Sequence, residues 1–220
     1  MTHEGSVGKL ATALEATLGP ITDQRSLVSV GPLISGELTQ QAIILVIIGS
    51  IGILLWMTYR FRDVRFGATA LVALVHDVIV VVGIFALLGT FFGVEIDGLF
   101  VTAMLTIIGF SVHDTIVVYD RIRENRARYA GEPFNDIVNH SILQTLGRSI
   151  NTSVVVIFTL TALLLFGGTA IQTFILALLI GITSGTYSSI FNAAPLLTLW
   201  EEYDQRRKAQ AARPGRRATA

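Results

Sequence analysis

The segment TIIGFSVHDTIVVYDRIRE, residues 106–124, decides how this chain folds. It begins as an apolar run of the kind that crosses a membrane, carries His113 and Asp114 inside that run, and ends among arginines. A charged side chain inside a bilayer is costly unless it is paired, protonated or faces water, so it marks a functional site by default. The segment predicts a membrane protein concerned with transport or energy coupling.

The composition of the whole chain agrees with this interpretation. Of its 220 residues, 52% are hydrophobic and 15% are charged, whereas about a quarter of a soluble domain is charged. The balance indicates an integral membrane protein. The chain has no cysteine, which excludes disulfides and thiolate metal sites.

Five stretches are long and apolar enough to be membrane-spanning helices, for which about 20 residues are needed. They are residues 41–59, 67–93, 98–119, 150–166 and 171–200. The second stretch is interrupted only by His76 and Asp77, and a turn with two glycines separates the fourth from the fifth. The sequence therefore predicts an all-α polytopic membrane protein.

Basic residues lie in alternate connections and so orient the predicted helices. The first loop, the third loop and the C-terminal tail contain nearly all of them: Arg60, Arg62, Arg65, Arg121, Arg123, Arg126, Arg128, Arg148, Arg206, Arg207, Lys208, Arg213, Arg216 and Arg217. Residues 94–97 and 167–170 carry none. Because basic loops remain in the cytoplasm, we expect a multi-pass membrane protein with its N-terminus outside and its C-terminus cytoplasmic.

The two ends of the chain are predicted to lie on opposite sides of the membrane. Residues 1–40 are polar and must cross it, although nothing before them directs them there. We interpret them as the remnant of an external domain whose upstream part and preceding span are missing, with Val28–Ile34 as its last strand; a short protein with a translocated tail is the alternative. The basic tail, residues 201–220, is predicted either to lie near anionic headgroups or to contact a partner or ribosome.

The third loop is predicted to contain further structure. After the breaker Gly131-Glu132-Pro133, apolar residues recur at helical spacing at positions 137, 138, 142, 143 and 146. This pattern favours an amphipathic helix on the cytoplasmic face that continues into the fourth span.

Asp114 is the first candidate site residue. One helical face carries small and polar residues at i, i+4, i+7 and i+11, namely Thr102, Thr106, Gly109 and His113. Asp114 flanks that face, which we expect to look into the helix bundle, about 8 Å from the inner end of the span. Asp114 is either a carboxylate solvated from the cytoplasm or one that binds and releases a proton as access alternates.

Arg148 is the predicted counter-charge of Asp114. It lies where the fourth span begins, at the same cytoplasmic edge as Asp114. Burial and a neighbouring cation act on a carboxyl group in opposite senses, so small movements between the two residues can change its protonation. The alternative is an ordinary positive-inside anchor.

His76 and Asp77 lie about 15 Å into the second span, near its middle. They either extend a proton relay or hydrogen-bond a neighbouring helix. A metal site is not expected, because it would need two His-Asp pairs in matched geometry. In the last span, Gly181 and Gly185 form a small-xxx-small pattern that predicts close helix packing.

Several long segments, in order, resemble the SecF family of protein-export membrane proteins, within the resistance-nodulation-division superfamily. The segments are VGPLISGEL (30–38), HDVIVVVGIFALLG (76–89), TIIGFSVHDTIVVYDRIREN (106–125), NHSILQTLGRSINTS (139–153), LLLFGG (163–168) and GTYSSIFNAAPLL (185–197). The resemblance implies a six-span bundle with a large external domain after the first span. This chain would supply the last five spans.

The resemblance also implies function. It implies a partner, SecD, that forms the other pseudo-symmetric half, association with the SecYEG channel, and use of the proton motive force to promote translocation of a polypeptide. It equates Asp114 with the intramembrane aspartate of the family and Arg148 with the arginine of the following span. Where this chain has His113, the family often has asparagine.

Two other classes of protein remain open: a proton-coupled small-molecule exporter of the same superfamily, and a non-conducting assembly subunit. An enzyme is not expected, because no nucleophile, base and orienting group occur together. Beyond SecD, SecYEG and the polypeptide, the expected partners are protons and membrane lipids. We expect no cofactor and no nucleic acid.

Overall fold

In the computed structural model, the described residues are 32–211 together with Ala13, Ala16 and Thr17. The chain divides into two compact units, residues 1–36 and residues 37–220, and nearly all of the described residues belong to the second. Helices and short connections make up the described part of that unit, which contains no strand.

Residues 32–211 form six helices in sequence order. They are α1 (Pro32–Phe61), α2 (Val64–Phe92), α3 (Gly98–Arg128), α4 (Phe134–Phe166), α5 (Gln172–Ser188) and α6 (Ala194–Ala211). A 3₁₀ turn, Thr169–Ile171, precedes α5, and a π-helical turn, Ser189–Ala193, joins α5 to α6 without a break. Five helical stretches are long and apolar enough to cross a membrane: Gln40–Phe61, Val64–Phe92, Gly98–Arg128, Phe134–Phe166 and Thr169–Ala211. The predicted all-α membrane fold is confirmed.

Polar caps and one glycine fix the ends of the second and third spans. The Asp63 side chain accepts a hydrogen bond from the backbone N–H of Arg65 at the start of α2, and Asp97 caps the first turn of α3 in the same way. Gly93 ends α2 in the left-handed conformation, with φ of 66°, which glycine adopts without a steric penalty. These residues keep both connections short.

The arginine-rich segment after the third predicted span is helical rather than a loop, since α3 continues to Arg128. Glu124 pairs with Arg121 at i,i+3 and with Arg128 at i,i+4, and Ile122 is fully buried. The predicted amphipathic helix is present, and it forms one continuous helix with the fourth span in α4.

The structure also differs from the predictions for the two ends of the chain. Pro32–Ile34 begin α1 instead of ending a strand, because proline is well tolerated in the first turn of a helix; residues 28–31 lie outside the described residues. Residues 201–211 belong to α6, and Glu201 pairs with Arg65 and Arg126. Residues 212–220 of the predicted tail lie outside the described part, and the predicted domain boundaries remain a prediction.

Asp63, Arg65, Arg126 and Glu201 form an ionic cluster. Burial raises the pKa of the Asp63 carboxyl group, but hydrogen bonds from the side chain and backbone of Arg65 outweigh burial, so the pKa lies below its usual value. The cluster thereby ties the start of α2 to α6 at one end of the bundle.

A polar layer separates two apolar clusters in the bundle. One cluster surrounds Tyr119 and includes Phe61, Phe66, Val118 and Leu197. The other includes Val81, Phe85, Ile107, Leu178 and Ile182. Along α2, α3 and α5, the segments between these clusters carry the buried polar residues Asp77, Ser111, Asp114, Thr115 and Ser188. The candidate site therefore lies within the membrane-spanning core.

Close contact between α3 and α5 depends on two glycines, as the small-xxx-small pattern predicts. A Cβ atom on Gly181 would overlap the side chain of Ile107. A Cβ atom on Gly185 would lie 3.0 Å from the Cβ of Ser111. The missing side chains allow α5 to approach the helix that carries Asp114.

Gly181→Leu is expected to destabilise the bundle by about 3 kcal/mol, because overpacking forces α5 away from Ile107. Thermal unfolding in detergent measures the change. Gly147→Leu is the matched control, since a Cβ atom at Gly147 meets nothing within 4 Å and leucine favours a helix over glycine. Equal stability of the two variants would contradict the packing argument.

Candidate functional site

Asp77 is a buried carboxylate that contacts four different side chains. Its side chain is 2% exposed. Oδ2 accepts hydrogen bonds from Ser111 Oγ at 2.6 Å and Ser188 Oγ at 2.7 Å, and Oδ1 accepts one from Ser184 Oγ at 2.9 Å. His76 Nδ1 lies 3.2 Å from Oδ1. Both carboxylate oxygens are therefore fully engaged.

The serines that bind Asp77 come from two other helices. Ser111 belongs to α3, while Ser184 and Ser188 are one turn apart on α5. Asp77 itself is near the middle of α2, so one side chain joins three helices. These contacts support the helix-packing interpretation of Asp77; a relay role for His76 and Asp77 remains a prediction.

Asp114 is buried but much less fully bonded. Its side chain is 3% exposed, and its buried Oδ2 has no hydrogen-bond partner among the described residues. Ser149 of α4 lies close enough to interact with the carboxyl group, yet its buried hydroxyl forms no hydrogen bond within the described structure. A buried polar atom without a hydrogen-bond partner is unusual in a folded protein and marks a candidate functional residue.

Arg148 lies near Asp114 without binding it directly. The two residues interact electrostatically, but no ion pair within 4.0 Å joins them among the described side chains, and Arg148 is exposed. The structure therefore places Asp114 and Arg148 near each other but does not join them in an ion pair. His113, on the other side of Asp114 along the helix, is also exposed and also interacts with its charge.

The predicted polar face of α3 does not look into the bundle that the described residues of this chain form. Four residues of the face are exposed: Thr102, Thr106, Gly109 and His113. Successive residues on a helix point about 100° apart, so the buried side is instead defined by Ser111, Asp114 and Thr115 at i, i+3 and i+4. Asp114 faces inward although its predicted neighbours do not.

Sequence reasoning missed the serines that lie beside the two aspartates. Ser184 and Ser188 have i, i+4 spacing beside the glycine pattern, and Ser111 is one turn before Asp114. That spacing was the available signal, since serines on one face of a membrane helix commonly bind a neighbouring helix. Ser149 directly follows Arg148 and offers no comparable pattern.

Tyr119 joins α2 and α3 to the π-helical turn. Its fully buried hydroxyl donates to the carbonyl oxygen of Ala193 at 3.1 Å and lies 2.6 Å from Thr69 Oγ1. π-helical turns are frequent at functional sites. Tyr119 thus holds the segment directly after Ser188 against α2 and α3.

A cleft of about 670 Å³ lies away from both aspartates, where α3 ends and α4 begins. Its lining includes Arg126, Tyr129, Phe134, Asn135, Glu201 and Glu202. Neither this cleft nor the polar layer offers three clustered His, Cys, Asp or Glu side chains for a metal, as far as the described residues extend.

Residues 10–203 match the family described as protein export membrane protein SecD/SecF, C-terminal. The chain is 59% identical over 195 residues to the protein translocase subunit SecF of Thermobaculum terrenum, an alignment that covers 87% of this chain and 62% of that protein. It is 45% identical over 183 residues to the SecF subunit of Anaerolinea thermophila, covering 81% and 59%. The chain therefore spans about three fifths of the length of these relatives.

The fold is similar to solved SecDF structures. The crystal structure of SecDF from Thermus thermophilus, a translocon-associated membrane protein, matches with a TM-score of 0.78 and 37% identity, over 92% of this chain and 27% of that one. A structure of SecDF in its super-membrane-facing form matches with a TM-score of 0.74 and 34% identity, over 98% and 28%.

Proposed function

The chain belongs to the SecD/SecF family of protein-export membrane proteins, and from that premise we propose that it acts as a SecF-like subunit of a protein translocase. In this proposal it uses the proton motive force, together with a SecD partner, to promote translocation of polypeptides through the SecYEG channel. Relatives named as translocase subunits SecF and SecDF support this assignment over the exporter and scaffold alternatives.

Asp114 is the proposed proton-binding residue, with Arg148 as the charge that modulates it. The observation that supports this assignment is the buried Oδ2 without a hydrogen-bond partner. Proton uptake requires that the ionised form is not held too firmly, and a buried carboxylate oxygen without hydrogen-bond donors meets that requirement. Asp77 is the less suitable candidate, because three serine hydroxyls already donate hydrogen bonds to its carboxylate oxygens.

The SecD partner is proposed to cover the exposed polar face of α3. Thr102, Thr106 and His113 are exposed within an apolar span, and polar groups in such spans ordinarily face protein or water rather than lipid. Arg148 and Thr152 extend the exposed polar surface along α4. A second bundle half on this surface would close off Asp114 and Arg148 from lipid.

The orientation in the inner membrane follows the basic residues. We propose that residues 1–40 are external, that residues 41–200 form the membrane domain, and that residues 201–220 are cytoplasmic. The arginines at the ends of α1 and α3 support this placement.

Restoration of proton-driven export tests the proposal. In inner-membrane vesicles that lack their own SecF, addition of the protein with a SecD partner is expected to increase completion of polypeptide translocation. An ionophore that dissipates the proton gradient should remove this increase. Export that is unaffected by the protein would contradict a translocase role, and an increase that survives the ionophore would contradict proton coupling.

A further inference from the structure

The turn between α1 and α2 gathers three arginines at one end of the first span. Arg60 and Arg62 lie at the end of α1. Arg123 reaches the same place from α3, and its Nη1 donates a hydrogen bond to the backbone carbonyl of Arg60 at 3.2 Å. The guanidinium of Arg123 is therefore held beside the turn that carries Arg62.

Carboxylates within the described structure balance only part of this charge. Arg60 pairs with Asp120 at 2.9 Å. Asp63, the acidic residue next to Arg62, is bound to Arg65 at 2.6 Å. Arg123 contacts a neutral carbonyl, and exposed Arg62 has no hydrogen bond or ion pair to any described residue. Two guanidinium groups remain available to an anion.

The backbone at Arg62 is strained. Its φ is 53°, in the left-handed region, where the Cβ atom of a residue other than glycine crowds the following carbonyl oxygen. Helices commonly end in this conformation with glycine, so the turn alone does not require arginine. The rings of Phe61 and Phe66, which flank the turn in sequence, stack on each other with centroids 5.0 Å apart and hold its two ends together. An arginine in a strained and rigid position indicates a use for its side chain.

The surroundings of the arginines are those of a membrane interface. Trp56 and Tyr59 are exposed on the last turns of α1, with ring centroids 6.3 Å apart, and such residues favour the level of the lipid headgroups. Toward the middle of the same span, Ile51 and Leu55 are 52% and 65% exposed. An apolar surface for acyl chains therefore adjoins the cationic turn.

We propose that Arg62 and Arg123, assisted by Arg60, form a binding site for the phosphate of an anionic phospholipid. Guanidinium groups bind phosphate oxygens through paired N–H donors, and the adjoining apolar helix surface selects a lipid over free phosphate. This inference does not depend on the proposed role in protein export.

Lipid titration of the purified protein in detergent tests the site, with thermal unfolding as the readout. Phosphatidylglycerol is expected to raise the unfolding temperature of the wild type more than phosphatidylcholine does. The apparent affinity for phosphatidylglycerol should fall about fivefold in Arg62→Gly and about thirtyfold in Arg62→Gly/Arg123→Gln, at about 1 kcal/mol for each arginine. Without lipid, Arg62→Gly should be at least as stable as the wild type, because glycine removes the backbone strain.

Arg207→Gln is the matched control, since it removes one exposed arginine of α6 and should leave the response to phosphatidylglycerol unchanged. Equal shifts with the two lipids would overturn the proposal, as would an equal loss of affinity in Arg207→Gln. An equal shift with inorganic phosphate alone would also overturn it, because the occupant would then not be a lipid.

Discussion

Asp114→Asn is expected to abolish the proton-dependent part of polypeptide export while leaving the protein folded. The buried Oδ2 has no described hydrogen-bond partner, so the isosteric amide loses no bond, and we expect the free energy of unfolding to change by less than about 1 kcal/mol. The amide cannot bind and release a proton. Each proton that crosses 100 mV releases about 2.3 kcal/mol, and the variant gains none of this energy.

The measurement is translocation in vesicles with and without a proton gradient. Asp120→Asn is the matched control, because Asp120 is on the same helix but exposed and paired with Arg60; it should retain the proton-dependent increase. Asp114→Asn with the full proton dependence of the wild type would contradict the assignment of Asp114.

In the same translocation assay, two substitutions of Arg148 distinguish a charge that modulates Asp114 from an ordinary anchor at the membrane edge. Arg148→Lys keeps a cation near Asp114 and should retain part of the proton-driven increase, whereas Arg148→Met should lose most of it. If Arg148→Met behaves like the wild type, Arg148 is an anchor at the membrane edge and not a modulator of Asp114.

Asp77→Ala is expected to lower the free energy of unfolding by about 2–4 kcal/mol. The change removes the acceptor of three serine hydroxyls from α3 and α5. Hydrogen bonds between membrane helices contribute about 0.6 kcal/mol each on average, and buried donors left without an acceptor add a further penalty. The thermal unfolding temperature in detergent should fall accordingly.

Two adjacent serines offer a matched pair for this prediction. Ser188 and Ser189 are both fully buried. Ser188 donates to Asp77, while Ser189 donates to the carbonyl of Thr186 in its own helix. Ser188→Ala should therefore destabilise the bundle and lose its effect in an Asp77→Ala background, whereas Ser189→Ala should act independently of Asp77. Additive effects of Ser188→Ala and Asp77→Ala would contradict the proposed network.

The secondary structure was predictable where composition alone determines it. Apolar runs of about 20 residues form helices in a membrane because every backbone polar group must be satisfied within its own segment. This reasoning found the apolar segments but ended α3 too early, near Tyr119, because it treated the charged residues up to Arg128 as a loop. Those residues are helical because Ile122 is buried and Glu124 pairs with arginines on both sides.

The sequence predicted candidate site residues but not the contacts that they make. The sequence by itself determined that two aspartates, Asp77 and Asp114, lie inside apolar helices, and its motifs indicated the family. Only the tertiary structure decided that Asp77 is fully bonded and that Asp114 is not. The partners of Asp77 are 34, 107 and 111 residues away along the chain, and close approach at Gly181 and Gly185 brings α5 to them. Contacts at such separations depend on how the helices pack, which local sequence patterns do not specify.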